Sequence, residues 1–115
     1  MTDKQICTYF GEATSYTDPT AYASDVALSL LDPADPDQEV DAATVEQLIN
    51  LWHVANDPFR NLLELMGLTQ TQCSIRFCVP LRTVQDWAGD RRSCAPYLRL
   101  MMAELAGLVQ LREPV

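Results

Sequence analysis

Residues 69–88 read TQTQCSIRFCVPLRTVQDWA, and where this stretch breaks decides the fold. Thr69 is a capping residue ahead of a short helix over 70–77, in which Cys73, Ser74 and Phe77 share a face with Gln70. Cys78 and Val79 make a tight turn, and Pro80, whose φ is already helical, opens a second helix running to Trp87 and Ala88. At about 100° per residue, Pro80, Val84 and Trp87 fall on one side of that helix, whereas Leu81, Arg82, Gln85 and Asp86 fall on the other. Ser74 is small, which permits two crossing helices to approach closely. The pattern buries Leu68, Cys73, Phe77, Val79, Val84 and Trp87 and leaves the second helix a polar outer face, as a helix-turn-helix requires.

Working outward, Asn56-Asp57-Pro58 places an Asp cap and a helix-opening proline ahead of Phe59, Leu62, Leu63 and Met66, with Gly67 as the stop. The same signature at Asp18-Pro19 predicts a helix through Tyr22, Val26, Leu30 and Leu31, ending at Asp32-Pro33. Residues 32–41, DPADPDQEVD, form an acidic loop broken by two prolines. Asp41 caps the next helix, whose Val45, Leu48, Ile49, Trp52 and Ala55 make an i, i+3, i+4, i+7 stripe. Beyond the central stretch, residues 89–94 are a loop, Pro96 opens a last helix and Gly107 weakens its end. The first 17 residues show no clear period, although Ile6, Cys7, Tyr9, Phe10 and Tyr16 predict that part of the segment packs against something. No alternating strand pattern occurs, so the expected class is all-α: an acidic, mostly helical region over 1–41, then a helical domain over 42–115.

The chain has 115 residues, a single-domain length, and its 48% hydrophobic and 21% charged content is that of a globular protein. No apolar run approaches the ~20 residues that span a bilayer. The polar opening, Met1 to Gln5, predicts no export leader, so a cytoplasmic location is expected and no membrane partner. A formal charge of −8 argues at first sight against nucleic acid, but its distribution is lopsided. Residues 1–57 hold eleven acids and one base, a net −10, while residues 58–115 hold seven arginines and five acids, a net +2. Two regions of such different charge suit different partners.

Cys7, Cys73, Cys78 and Cys94 include no C-x-x-C pair, and His53 is the single histidine, so neither a structural zinc site nor a disulfide framework is expected. Asp35, Asp37, Glu39 and Glu46 match positions 1, 3, 5 and 12 of a calcium loop, but Val40 stands where the glycine belongs and Pro36 interrupts it. A solvated acidic linker is the simpler reading. His53 has no matched nucleophile, so no enzyme, metal or cofactor is implied.

The run 68–92, LTQTQCSIRFCVPLRTVQDWAGDRR, resembles the DNA-binding domain of the lambda-repressor/Cro-like (Xre) family, and especially its small regulators with an RTVQDW recognition helix. The resemblance covers about residues 57–107. Two positions depart from the family pattern: Cys78 stands at the turn glycine, and Asp90 at the glycine after the recognition helix, with Gly89 one residue early.

The resemblance implies a lambda-repressor-like bundle whose recognition helix, over 80–88, enters the major groove of double-stranded DNA. Leu81, Arg82, Gln85 and Asp86 are then the base-facing residues: arginine suits guanine, glutamine adenine, leucine a thymine methyl, and Asp86 either accepts from cytosine or orients Arg82. Gln70, Thr83, Arg91, Arg92 and, less centrally, Arg76 are the implied phosphate contacts. A symmetric dimer on a palindrome is the usual form, and Tyr97, Leu100 and Leu111 offer either its seam or a face that packs against the N-terminal half, with Leu98, Met101, Met102 and Leu105 facing the core. The expected function is a sequence-specific, repressor-like transcriptional regulator. The alternative is an interaction, antitoxin-like or DNA-mimicking module whose acidic residues 1–57 bind a basic protein.

Overall fold

Thr2 and Gln5 organise the N-terminal segment. The Thr2 hydroxyl accepts from the Gln5 N–H and the Gln5 side chain accepts from the Thr2 N–H, a reciprocal capping box that starts helix α1 (Asp3–Glu12). A 3₁₀ turn (Ala13–Ser15) follows. The remaining helices of the computed structural model, which describes residues 1–113, are α2 (Pro19–Ser29), α3 (Ala42–Asn56), α4 (Phe59–Met66), α5 (Gln70–Phe77), α6 (Leu81–Ala88) and α7 (Pro96–Leu105). The protein is all-helical, with no strand among the described residues.

Local chemistry accounts for most of the helix starts. Asp18 accepts from the N–H groups of Thr20 and Ala21 with Pro19 in the first turn, Asp41 accepts from Ala43, and Thr69 and Gln72 form a second capping box. Pro96 stands in the first turn of α7, but Pro58 and Pro80 lie one residue earlier, in the cap position, with extended ψ values of 146° and 134°. Each lacks an N–H and so gives up no helical bond there.

The chain divides into two compact units. The first comprises residues 1–56 and the C-terminal segment from Val109, and the second residues 57–108. The sequence boundary at residue 42 is therefore displaced, because α3 packs with α2. In the first unit Tyr22 is fully buried and its hydroxyl donates to the Tyr9 carbonyl at 2.6 Å. Burial presses that phenol's ionisation upward. The Trp52 indole donates to the Tyr16 carbonyl at 2.9 Å, and Asn56 donates to the Ala13 carbonyl at 3.1 Å. The Trp52 and Asn56 side chains thus satisfy carbonyls of the irregular backbone between α1 and α2, and Tyr22 caps one in the last turns of α1. The buried row of α3 is Leu48, Leu51 and Val54, and the expected Val45, Ile49, Trp52 and Ala55 are half-buried beside it.

The second unit repeats one helix ending four times. A backbone N–H reaches the carbonyl five residues back at Leu68 to Leu63, Val79 to Ser74, Arg91 to Asp86 and Leu108 to Ala103. Each such ending places one residue at positive φ: Gly67 at 72°, Cys78 at 55°, Asp90 at 58° and Gly107 at 79°. Both departures from the glycine pattern are therefore L-residues in left-handed backbone. Aspartate tolerates that region through its short polar side chain, whereas cysteine gains nothing from it. Cys78→Gly is expected to raise stability by about 0.5–1 kcal/mol in urea unfolding, the relieved backbone strain outweighing glycine's extra unfolded-state entropy. Asp90→Gly should give less, because it also removes the Arg60–Asp90 ion pair at 3.0 Å.

Candidate nucleic-acid interface

Helix α6 is held by Val84, Trp87 and Ala88, all buried, with the Trp87 ring edge-on to Phe59 at a 5.2 Å centroid distance. The turn before it is closed by Ser74, whose hydroxyl donates to the Val79 carbonyl at 2.6 Å. Ser74 therefore does more than permit close approach: it ties the end of α5 to the start of α6. On the far side of α6, Leu81, Arg82 and Gln85 are exposed, and the Arg82 side chain keeps 80% of its surface. Leu68, Phe77 and Val79 are half-buried, while Cys73, Val84 and Trp87 are buried.

Asp86 differs from its neighbours. Its side chain is only 14% exposed, and Oδ1 meets Arg82 Nε at 3.5 Å and Arg91 Nη1 at 3.4 Å. Of the two roles open to it from the sequence, the geometry matches the one that orients Arg82. Thr83 is half-buried. Gln70, the first residue of α5, is exposed beside the Thr69–Gln72 capping box. In the loop after α6, Arg91 and Arg92 are exposed, and Arg92 makes no ion pair among those found in the described residues.

Other arginines have intramolecular work. Arg76 lies 5.9 Å over the Phe77 ring and donates to the Leu105 carbonyl at 2.8 Å, so it neutralises the C-terminal end of α7. Arg76 is thus tied to the end of α7 while its side chain stays exposed. Arg99 donates to the Asp57 carbonyl, and its burial lowers the ionisation of the guanidinium. Arg60 pairs with Asp90, joining α4 to the loop after α6. Neither arginine stood out in the sequence; the one available signal was Asp90 in a glycine's place.

The expected dimer seam needs correction. Leu100 and Leu111 are both buried, at 8% exposure, and only Tyr97 of the three is open. Leu111 is not in α7 at all: the helix stops at Leu105, Gly107 turns the chain, and Leu111 joins the first unit. Within α7 the buried residues are Leu100, Met102 and Ala103, and Leu98 is half-buried. Met101 and Leu105, expected in the core, are exposed and continue the row from Tyr97 at i, i+4 and i+8. They border an apolar groove of about 270 Å³ that also takes in Phe77 and Val79.

Cys7 and Cys78 are exposed and Cys73 and Cys94 buried, all as free thiols, and burial pushes Cys94 up to about 11. No group of three or more potential metal ligands occurs among the described residues. In the acidic loop, Asp32 and Asp35 accept from the backbone N–H groups of Ala34 and Asp37, which are local turn bonds. No helix among the described residues is long and apolar enough to cross a membrane. Comparison with protein-family models, curated proteins and solved structures returns no match for this chain.

Proposed function

We propose that this protein is a sequence-specific DNA-binding regulator that reads the major groove with α6. The observation that carries the reading is the division of that helix: a buried Val84–Trp87–Ala88 side, and an outer row of Leu81, Arg82 and Gln85 projecting into solvent. Arginine can hold guanine through two hydrogen bonds, glutamine can do the same for adenine, and leucine suits a thymine methyl. Arg91, Arg92 and Gln70 hold phosphates and set the register. Six arginines against five acids over 57–108 make the electrostatic attraction modest. The salt dependence should be shallow, with a log–log slope of about −3 to −5, at ~0.9 per neutralised phosphate.

One such helix reads about four or five base pairs, so useful affinity calls for a second copy on a palindromic site. The exposed row Tyr97, Met101 and Leu105 is the face of α7 open to such a contact. In-vitro selection from random duplexes, followed by binding at two salt concentrations, tests the reading. A recovered motif with half-sites at fixed spacing is the expected outcome, and equal weak binding to every duplex would refute it.

A second reading is favoured by the first unit. Over residues 1–56 and 109–113 all eleven acidic side chains are exposed, against two bases, Lys4 and Arg112. Such a surface repels DNA and attracts a basic protein. Loss of sequence preference in the selection, together with salt-sensitive binding to a basic polypeptide, would favour this reading.

A further inference from the structure

We propose that Asp86 is a positioning residue that sets which base Arg82 reads and couples that reading to the phosphate contact of Arg91. The inference rests on the DNA-binding reading and adds a device inside it.

An unpaired arginine on an exposed helix face samples many rotamers, and one that must meet a base edge squarely gains from being held beforehand. Asp86 lies one turn along α6 from Arg82, and its Oδ1 meets the Nε edge of that guanidinium at 3.5 Å. A carboxylate on the Nε side restricts the plane of the guanidinium while the terminal nitrogens remain for a guanine. Asp86 is itself restrained: its side chain is 14% exposed, and its backbone carbonyl accepts from the N–H groups of Arg91 and Arg92 at 2.9 and 3.2 Å. Those two bonds fold the loop back so that Arg91 Nη1 comes to 3.4 Å from the same Oδ1.

Arg82 and Arg91 therefore share one oxygen. When Arg91 swings onto a phosphate it gives up its share, and the carboxylate's attraction falls on Arg82 alone. Phosphate engagement thus tightens base reading. A negative charge so close to a phosphate-facing surface weakens binding to every sequence, so the arrangement trades general affinity for discrimination.

That trade supplies a test with two readouts of opposite sign. The full chain and its Asp86→Asn variant are titrated at about 0.1 M salt with the selected duplex, with a random duplex, and with duplexes altered at each base pair. The base pair read by Arg82 is identified as the one at which Arg82→Ala loses preference. Asp86→Asn should bind the random duplex about two- to fivefold more tightly, because one repulsive charge is gone. Its discrimination at the Arg82 base pair should fall about five- to tenfold. In an Arg82→Ala background the same change should still tighten general binding but alter no base preference. Asp86→Glu is the second variant, keeping the charge and moving the carboxylate: it should lose discrimination with general affinity unchanged.

Uniform weakening of all duplexes, or intact discrimination in both Asp86 variants, overturns the proposal. A preference lost at a base pair other than that of Arg82 would mean that Asp86 reads a base itself, and would overturn it too. A wild-type chain with no preferred duplex would instead refute the DNA-binding reading beneath it.

Discussion

Trp87→Ala is expected to cost about 3–5 kcal/mol of stability, the largest effect of any change to the recognition region. The indole is 8% exposed on the inner side of α6, and its ring stands at 66° to Phe59 of α4 with 5.2 Å between centroids. Truncation removes the transfer free energy of a large side chain and leaves a void beside Phe59 and Val84, which are already 3% and 0% exposed and have little room to close in. Urea unfolding checks this. Trp87→Phe should recover part of the loss, since a ring remains against Phe59, and Leu81→Ala, one turn and a half away on the exposed side, should cost about 0.5 kcal/mol or less. A Trp87→Ala penalty below about 1 kcal/mol would mean that α6 is not anchored by this contact.

The second large effect concerns recognition. Arg82→Ala should leave folding nearly unchanged, because its side chain is 80% exposed and its one ion pair is a surface i, i+4 pair of small worth. It should cost about 1–3 kcal/mol of binding to the selected duplex and relax the preference at a single base pair. Arg92→Ala should behave differently, weakening selected and random duplexes by the same factor and reducing the salt slope by about 1. The contrast separates reading from clamping within one loop-and-helix segment, as measured by titration at several salt concentrations. Equal losses on both duplexes for Arg82→Ala would place Arg82 among the clamps.

Correspondence between the sequence reading and the structure follows the range of the interaction involved. Caps were mostly legible because a cap is a contact between residues two or three apart: Asp18, Asp41 and Thr69 act as read, whereas Asp57 does not, since Pro58 takes the cap position of α4 with no side-chain cap bond. The inner and outer sides of α6 were legible because the eight residues carry a single apolar stripe. Helix α1 was not read, although the Thr2 to Gln5 spacing is the same signature as Thr69 to Gln72. Its apolar residues Ile6, Tyr9, Phe10 and, at its C-cap, Ala13 do stand at i, i+3, i+4 and i+7, but the stripe covers only two turns and Cys7, beside it, is exposed.

The outward side of α7 escaped the sequence for another reason. Apolar residues occupy most of its circumference, so its own pattern does not say which row meets the core. Leu100 and Ala103 turned inward and Met101 and Leu105 outward according to what packs on them. The partner of Arg76 was hidden for a similar reason. A long charged side chain can serve a ligand or a neighbour, and for Arg76 the partner, the Leu105 carbonyl, lies on a helix far along the chain.

By itself, then, the order of residues determined the helical class, most helix starts and stops, and the two-sided character of α6, because caps, prolines, glycines and a 3.6-residue stripe act within a turn or two. Tertiary structure alone decided that α3 belongs with α2, that Leu111 leaves α7 for the first unit, and that Arg76 reaches the Leu105 carbonyl. Burial and ion pairing depend on which surfaces meet in space, and that meeting is a property of the assembled chain rather than of any window along it.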